Sequence, residues 1–208
     1  MGDIRGSDSE ENRNIVNRTI YTAQQCIGAA LDALPAKKSN TARKINGDLF
    51  ERFIRLVISD IGVNVIEGTI SVPVKIDGEI TFKMNYQHDL IVQDGTKTKA
   101  IGSVKTSSKD RIDKIFIDKF LYNKLTDTST PHFAIFLNDV QRKGKEGEYG
   151  INATFLTGHF KGYTVKLNPL DDVYYCDIRP NMVTEKILKD HIKAFDNFVF
   201  TDIWRFLE

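Results

Sequence analysis

The stretch 86-YQHDLIVQDGTKTKAIGSVKTSSKDR-111 decides how this chain reads. Two apolar-rich runs, His88–Gln93 and Lys97–Lys105, flank Asp94-Gly95, a dipeptide that favours two-residue hairpins. The stretch therefore reads as two short antiparallel strands. Asp89 lies in the first, Lys105 ends the second, and Ser103 stands two residues before the lysine. Just upstream, 69-TISVPVKIDGEITFKMNY-86 alternates apolar and polar residues around Asp77-Gly78 and reads as a second hairpin.

Away from these hairpins the hydrophobic period changes. Ile15, Ile20, Ala23, Ile27, Ala30, Leu31 and Leu34 recur at helical spacing, which predicts a helix from about Ser9 to Leu34, stopped by Pro35. The segment 35-PAKKSNTARKIN-46 reads as a basic loop. A second helix is then expected to open at Gly47-Asp48, with Asp48 as N-cap and Gly62 as its stop. Residues 110-DRIDKIFIDKFLYNKL-125 are helical in spacing, with Ser108 or Asp110 as the expected cap. A buried strand is expected in 132-HFAIFLNDV-140, and further strands in 149-YGINATFLTGHF-160 and 173-VYYCDI-178. Helices are expected in 182-MVTEKILKDHIKAF-195 and 200-FTDIWRFL-207. The fold class is α/β, a mixed central β-sheet flanked by helices on both faces, with a right-handed βαβ crossover between the Lys105 and Phe133 strands. One domain of 208 residues is expected, with an N-terminal helix and basic loop (1–46), a core (47–140), and C-terminal strands and helices (141–208).

Composition excludes several classes. Hydrophobic residues are 41% and charged residues 27%, an ordinary globular balance, and the net charge of +1 means that any basic surface is local. Two cysteines without a CxxC pair argue against a zinc site or a disulfide framework and fit a reducing cytoplasm. The polar start MGDIRGSDSEENRN is not a signal peptide, and Gly6 breaks the myristoylation pattern. No apolar run approaches the ~18 residues that span a bilayer. Without GxxxxGK[ST], GxGxxG or GxSxG, nucleotide-driven and serine-hydrolase chemistry have no support. His88, His132, His159 and His191 share no metal-binding spacing, and strand alternation turns His88 away from Asp89. Phe195, Phe198, Phe200, Trp204 and Phe206 read as core or a dimer face.

The ordered set of Glu51 on a helix (GDLFERF), Asp89 on a strand (HDLIV), a hairpin, GSVK ending at Lys105, and then a helix and a buried strand resembles the PD-(D/E)XK nuclease superfamily. Within it the chain is similar to type II restriction endonucleases, over roughly Asp48 to Val140. The resemblance implies a restriction-endonuclease-like core and Mg²⁺-dependent hydrolysis of phosphodiesters in double-stranded DNA. Asp89 would be the central metal ligand, with Glu51 and the Val104 carbonyl as further oxygen ligands, and Lys105 would orient or deprotonate the attacking water. Hard oxygen donors suit Mg²⁺, which polarises the phosphoryl group. The superfamily pattern places an acid at Ser103. In one subgroup that acid has moved to the following helix, and Asp118, 13 positions after Lys105, meets the altered pattern with the shorter side chain. Asp113 is a second candidate, expected on a different face of the helix. Ordinary surface pairing offers another account: Glu51 with Arg55, and Asp118 with Lys114.

Three basic, polar stretches are candidates for phosphate or base contacts: 37-KKSNTARK-44, 105-KTSSKDR-111 and 141-QRKGKEGE-148. They nominate Arg43, Lys44, Ser107, Ser108, Lys109, Arg111, Arg142 and Lys143. A palindromic site would require a two-fold homodimer. The alternatives are a repair or junction-resolving nuclease on the same core, or a DNA-binding domain that kept the fold and lost its acid at Ser103.

Overall fold

The computed structural model describes residues 4–142 and 151–208. Helix α1 (Glu10–Asp32) begins where expected, because the Ser9 side chain accepts the Asn12 N–H at 3.2 Å. Helix α2 (Ser39–Asp60) starts well ahead of Asp48 and absorbs most of the expected basic loop. Nothing between Ser39 and Asn46 breaks a helix, and tertiary contacts hold its first turns. Ala42 is buried, and Gln24 Nε2 donates to both the carbonyl and the side chain of Asn46. Those contacts outweigh the cost of about 1 kcal/mol for Gly47 inside a helix. Asp48 therefore caps nothing. The helix does stop before Gly62, which takes φ +93°.

Strands β1 (Val65–Ile76) and β2 (Glu79–Asp94) form the long first hairpin, with Asp77 and Gly78 at φ 53° and 86° as its two-residue turn demands. β2 runs on unbroken into the second hairpin with β3 (Lys97–Lys105). There the turn is Gly95-Thr96 instead of Asp94-Gly95: Asp94 pairs with Lys97, and Gly95, at φ 58°, bends the chain. Helix α3 (Ile112–Thr126) crosses to β4 (His132–Phe136), which lies parallel to β3. The expected side-chain cap on α3 is absent. Instead the Ser108 carbonyl accepts the Arg111 and Ile112 N–H groups. A separate pair, β5 (Val140–Arg142) and β6 (Ile151–Ala153), precedes α4 (Thr157–Lys166). Strand structure was expected through Phe160, but Phe160 and Thr164, four apart, bury one face of a helix. β7 (Asp172–Tyr175), α5 (Pro180–Thr184), α6 (Lys186–Lys189) and β8 (Ile192–Ala194) follow. The single helix expected over 182–195 is thus broken, because Ile192–Ala194 gains a parallel ladder on β7. The chain closes with α7 (Phe195–Asn197), a π-helical turn (Phe198–Asp202) and α8 (Ile203–Leu207).

The six-stranded sheet has the order β1-β2-β3-β4-β7-β8, antiparallel through β3 and parallel beyond it. Fully buried β4 serves both faces. Phe133 and Ile135 meet Phe50, Ile54 and Ile58 of α2 and the C-terminal Phe198 and Phe206. Ala134 and Phe136 meet Phe116 of α3, Phe160 of α4 and Met182. The C-terminal aromatic run is accordingly core, with Trp204 packed at its margin.

Gly102 on β3 faces Phe133, and a Cβ there would lie 2.5 Å from the ring. Gly102→Ala is expected to destabilise the fold by about 1–3 kcal/mol through overpacking. Urea or thermal unfolding checks this, and the lower midpoint should come without loss of cooperativity.

Candidate active site

Asp89 sits at an irregularity in the sheet. Between the pairs Ile66↔Ile91 and Gly68↔His88, β2 sets two residues, Asp89 and Leu90, against the single Glu67 of β1. Such a β-bulge re-aims the side chains that follow it. Tyr86 and His88 lie toward Tyr122 of α3, whereas Leu90 and Val92 enter the α2-side core. Pairing of β2 with β3 reaches Leu90↔Gly102 and goes no further toward the end of β3. The Val104 N–H therefore donates to Asp89 Oδ2, at 2.9 Å, where a backbone carbonyl would otherwise stand. In an extended strand the N–H and C=O of one residue share a side, so the Val104 carbonyl also faces this opened edge.

Lys105 Nζ completes the junction. It donates to Asp89 Oδ2 at 2.6 Å and to Glu51 Oε1 at 2.7 Å. Three elements, α2, β2 and β3, thus deliver one acid, one acid and one lysine to the same point. The surface pair anticipated for Glu51 does not form, since Arg55 binds Glu67. Burial pulls the Lys105 pKa down, but Asp89 and Glu51 more than offset it, and the net shift is upward. The lysine is therefore an ammonium ion at neutral pH. The Glu51 pKa is raised by burial, which outweighs the hydrogen bond from Lys105, and the Asp89 charge adds to the rise.

These groups lie in a cleft of about 600 Å³ with a basic rim. Arg43 and Lys44 reach it from α2, Lys109 and Arg111 from the segment before α3, and Lys114 from α3. Asp118 and Ser103 also line it, whereas Asp113 is exposed outside it. The Asp118 carboxylate bonds Lys114 Nζ at 2.5 Å. Among the described residues, no three His, Cys, Asp or Glu side chains are grouped to hold one ion. Ser108 is 1% exposed, so its hydroxyl is closed to a phosphate, and the Ser107 hydroxyl is spent on Asp139 at 2.9 Å. The side chain of Arg142 and all of Lys143 lie outside the described residues.

His132 was not anticipated from the sequence, and His88 was expected to face away from Asp89. Both line the cleft. His88 is buried, stacked on Tyr86 and edge-on to Tyr122 and His132. His132 Nδ1 bonds the Thr130 carbonyl. Burial, partly countered by that carbonyl, pushes the His132 pKa down to about 4. The period-two spacing of Tyr86 and His88 was the one local signal. His132 carried none, because its burial depends on segments distant in sequence.

The low His132 pKa has a stability consequence. Unfolded histidine, near 6.5, takes up a proton that the folded state refuses, so stability present above pH ~6.5 is lost as pH falls toward 4, by up to about 3 kcal/mol. His132→Asn, which keeps a donor for Thr130, is expected to flatten this dependence in urea titrations between pH 7 and 4.5.

No protein-family model and no curated protein matches the chain. Among solved structures, the crystal structure of the type IIP restriction endonuclease Kpn2I superposes with a TM-score of 0.71. The two are 20% identical, and the match covers 98% of this chain and 67% of that one. The chain has a restriction-endonuclease-like fold, a mixed six-stranded sheet flanked by helices.

Proposed function

We propose that this chain, carrying a restriction-endonuclease-like fold, is a Mg²⁺-dependent endonuclease that hydrolyses phosphodiester bonds at specific sites in duplex DNA. The observation that carries the reading is Lys105 held between Asp89 and Glu51 in a cleft rimmed by five cationic side chains. Those cations suit a polyanionic backbone.

The donor set fits a hard divalent cation. Hydrogen bonds to Lys105 and Val104 engage one oxygen each of Asp89 and Glu51, which leaves the second oxygen of each carboxylate for an ion. Asp89, Glu51 and the Val104 carbonyl would hold it. When bound, such an ion supplies Lewis acidity toward the phosphoryl oxygen and a more acidic water. Lys105, kept charged by its neighbours, orients the attacking water and offsets charge building on the phosphoryl oxygens. That is an electrostatic role and not a base's role. Lys114, 68% exposed, turns to a phosphate and releases Asp118 to act as the relocated acid. Two copies related by a two-fold axis cut the two strands. A reducing cytoplasm remains the expected setting.

A second reading is favoured by Ser103 standing where an acid is expected and by the pairing of Asp118 with Lys114. It is a DNA-binding domain of this fold without catalysis.

Incubation of phage and plasmid DNA with Mg²⁺ separates the two. Discrete fragments are expected, with rates lowered about 10²–10³-fold in Lys105→Ala and Asp89→Asn. Asp118→Asn is expected to lose about 10–100-fold, the cost typical of a group that supports a metal site. Intact DNA after incubation with folded protein and either Mg²⁺ or Mn²⁺, together with a gel shift, would establish the second reading.

A further inference from the structure

Asp139 follows β4, is 1% exposed, and accepts hydrogen bonds from uncharged donors. Its Oδ1 takes the Ser107 hydroxyl, the Ser108 N–H and the Thr154 hydroxyl, each at 2.9 Å, and its Oδ2 takes the Tyr175 hydroxyl. A buried carboxylate is costly unless its lone pairs are filled, and here four donors from three other segments fill them. The backbone adds to the tie, since Thr154 N–H donates to the Asp139 carbonyl at 3.0 Å.

The segment it holds is the one between Lys105 and α3. Ser107 passes the hold along, because its oxygen accepts the Lys109 N–H at 3.1 Å. Ser108 does the same through its carbonyl, which accepts the Arg111 and Ile112 N–H groups and so sets the first turn of α3. Between them Asp110 turns the chain at φ 56°, a left-handed conformation that aspartate adopts more readily than most residues. Lys109 and Arg111 flank that residue and line the cleft.

We propose that Asp139 is a positioning residue: through Ser107 and Ser108 it fixes the 106–111 segment so that Lys109 and Arg111 face the DNA backbone beside the Lys105 site. The DNA part of this proposal rests on the nuclease reading, whereas the positioning part does not.

The test uses Asp139→Ala, which withdraws both acceptor oxygens from Ser107, Ser108, Thr154 and Tyr175. Amide hydrogen exchange is followed in both proteins. Amides of residues 108–112 are expected to exchange about tenfold or more faster in the variant, with those of α2 and β4 unchanged. Equal protection of the segment in both proteins overturns the proposal. On duplex DNA without divalent metal, the slope of log affinity against log salt is expected to shrink by about 2, the share of two phosphate contacts. A wild-type slope in a variant whose segment has loosened also overturns it. If Asp139→Ala does not fold, Ser107→Ala removes the hydroxyl that joins Asp139 to the segment and is read the same way, with unchanged exchange again counting against the proposal. Loosened exchange in the variant, with a wild-type protein that binds no DNA, keeps the positioning role and removes the nuclease reading.

Discussion

One ammonium ion held between two carboxylates is the interaction on which the candidate site depends. Lys105 binds Asp89 and Glu51 from different elements, and all three side chains are only partly exposed. Without the lysine, two acids would face each other at reduced dielectric, and like charges in such a place are costly. With it, each carboxylate keeps one oxygen outside these bonds, and the cluster lies beside the basic residues that line the cleft.

The sheet makes this arrangement possible by changing character at β3. On one side β3 pairs antiparallel with β2, and on the other it pairs parallel with β4. The parallel side sends its connections to the carboxyl ends of β3, β4 and β7, where ligands gather in α/β folds. The antiparallel side ends early and splays at the Asp89 bulge, which frees the Val104 backbone from its ladder. Lys105 stands where both effects meet. Asp139 works from the parallel side, tying the turn after β3 to the end of β4 and to β7 through Tyr175.

Much of this was legible in the sequence, and the limits have physical causes. Turn chemistry is local, so both hairpins could be read from their Asp-Gly dipeptides, although the second turn lies one residue on, at Gly95-Thr96. The helix that carries Glu51 was legible from its regular apolar face, whereas Glu51 itself was singled out by the family resemblance. The start of α2 was misplaced because side-chain capping, the usual start signal, is missing, and the Gln24–Asn46 contact that substitutes for it joins two helices. β8 was read as helix because three residues pairing with a distant strand leave no period. Asp139 was unreadable for the same reason: its donors come from Ser107, Ser108, Thr154 and Tyr175, and no spacing links them. Ser108 shows the converse. Its neighbours suggested a phosphate contact, and packing buried it.

Asp89 and Glu51 are proposed to bind a divalent cation beside a charged Lys105. Titration of Mn²⁺ into the DNA-free protein, followed by electron paramagnetic resonance, tests it most directly. A bound Mn²⁺ population is expected in the wild type and is lost in Asp89→Asn, with the fold intact by circular dichroism. Equal Mn²⁺ binding in the two proteins would contradict it.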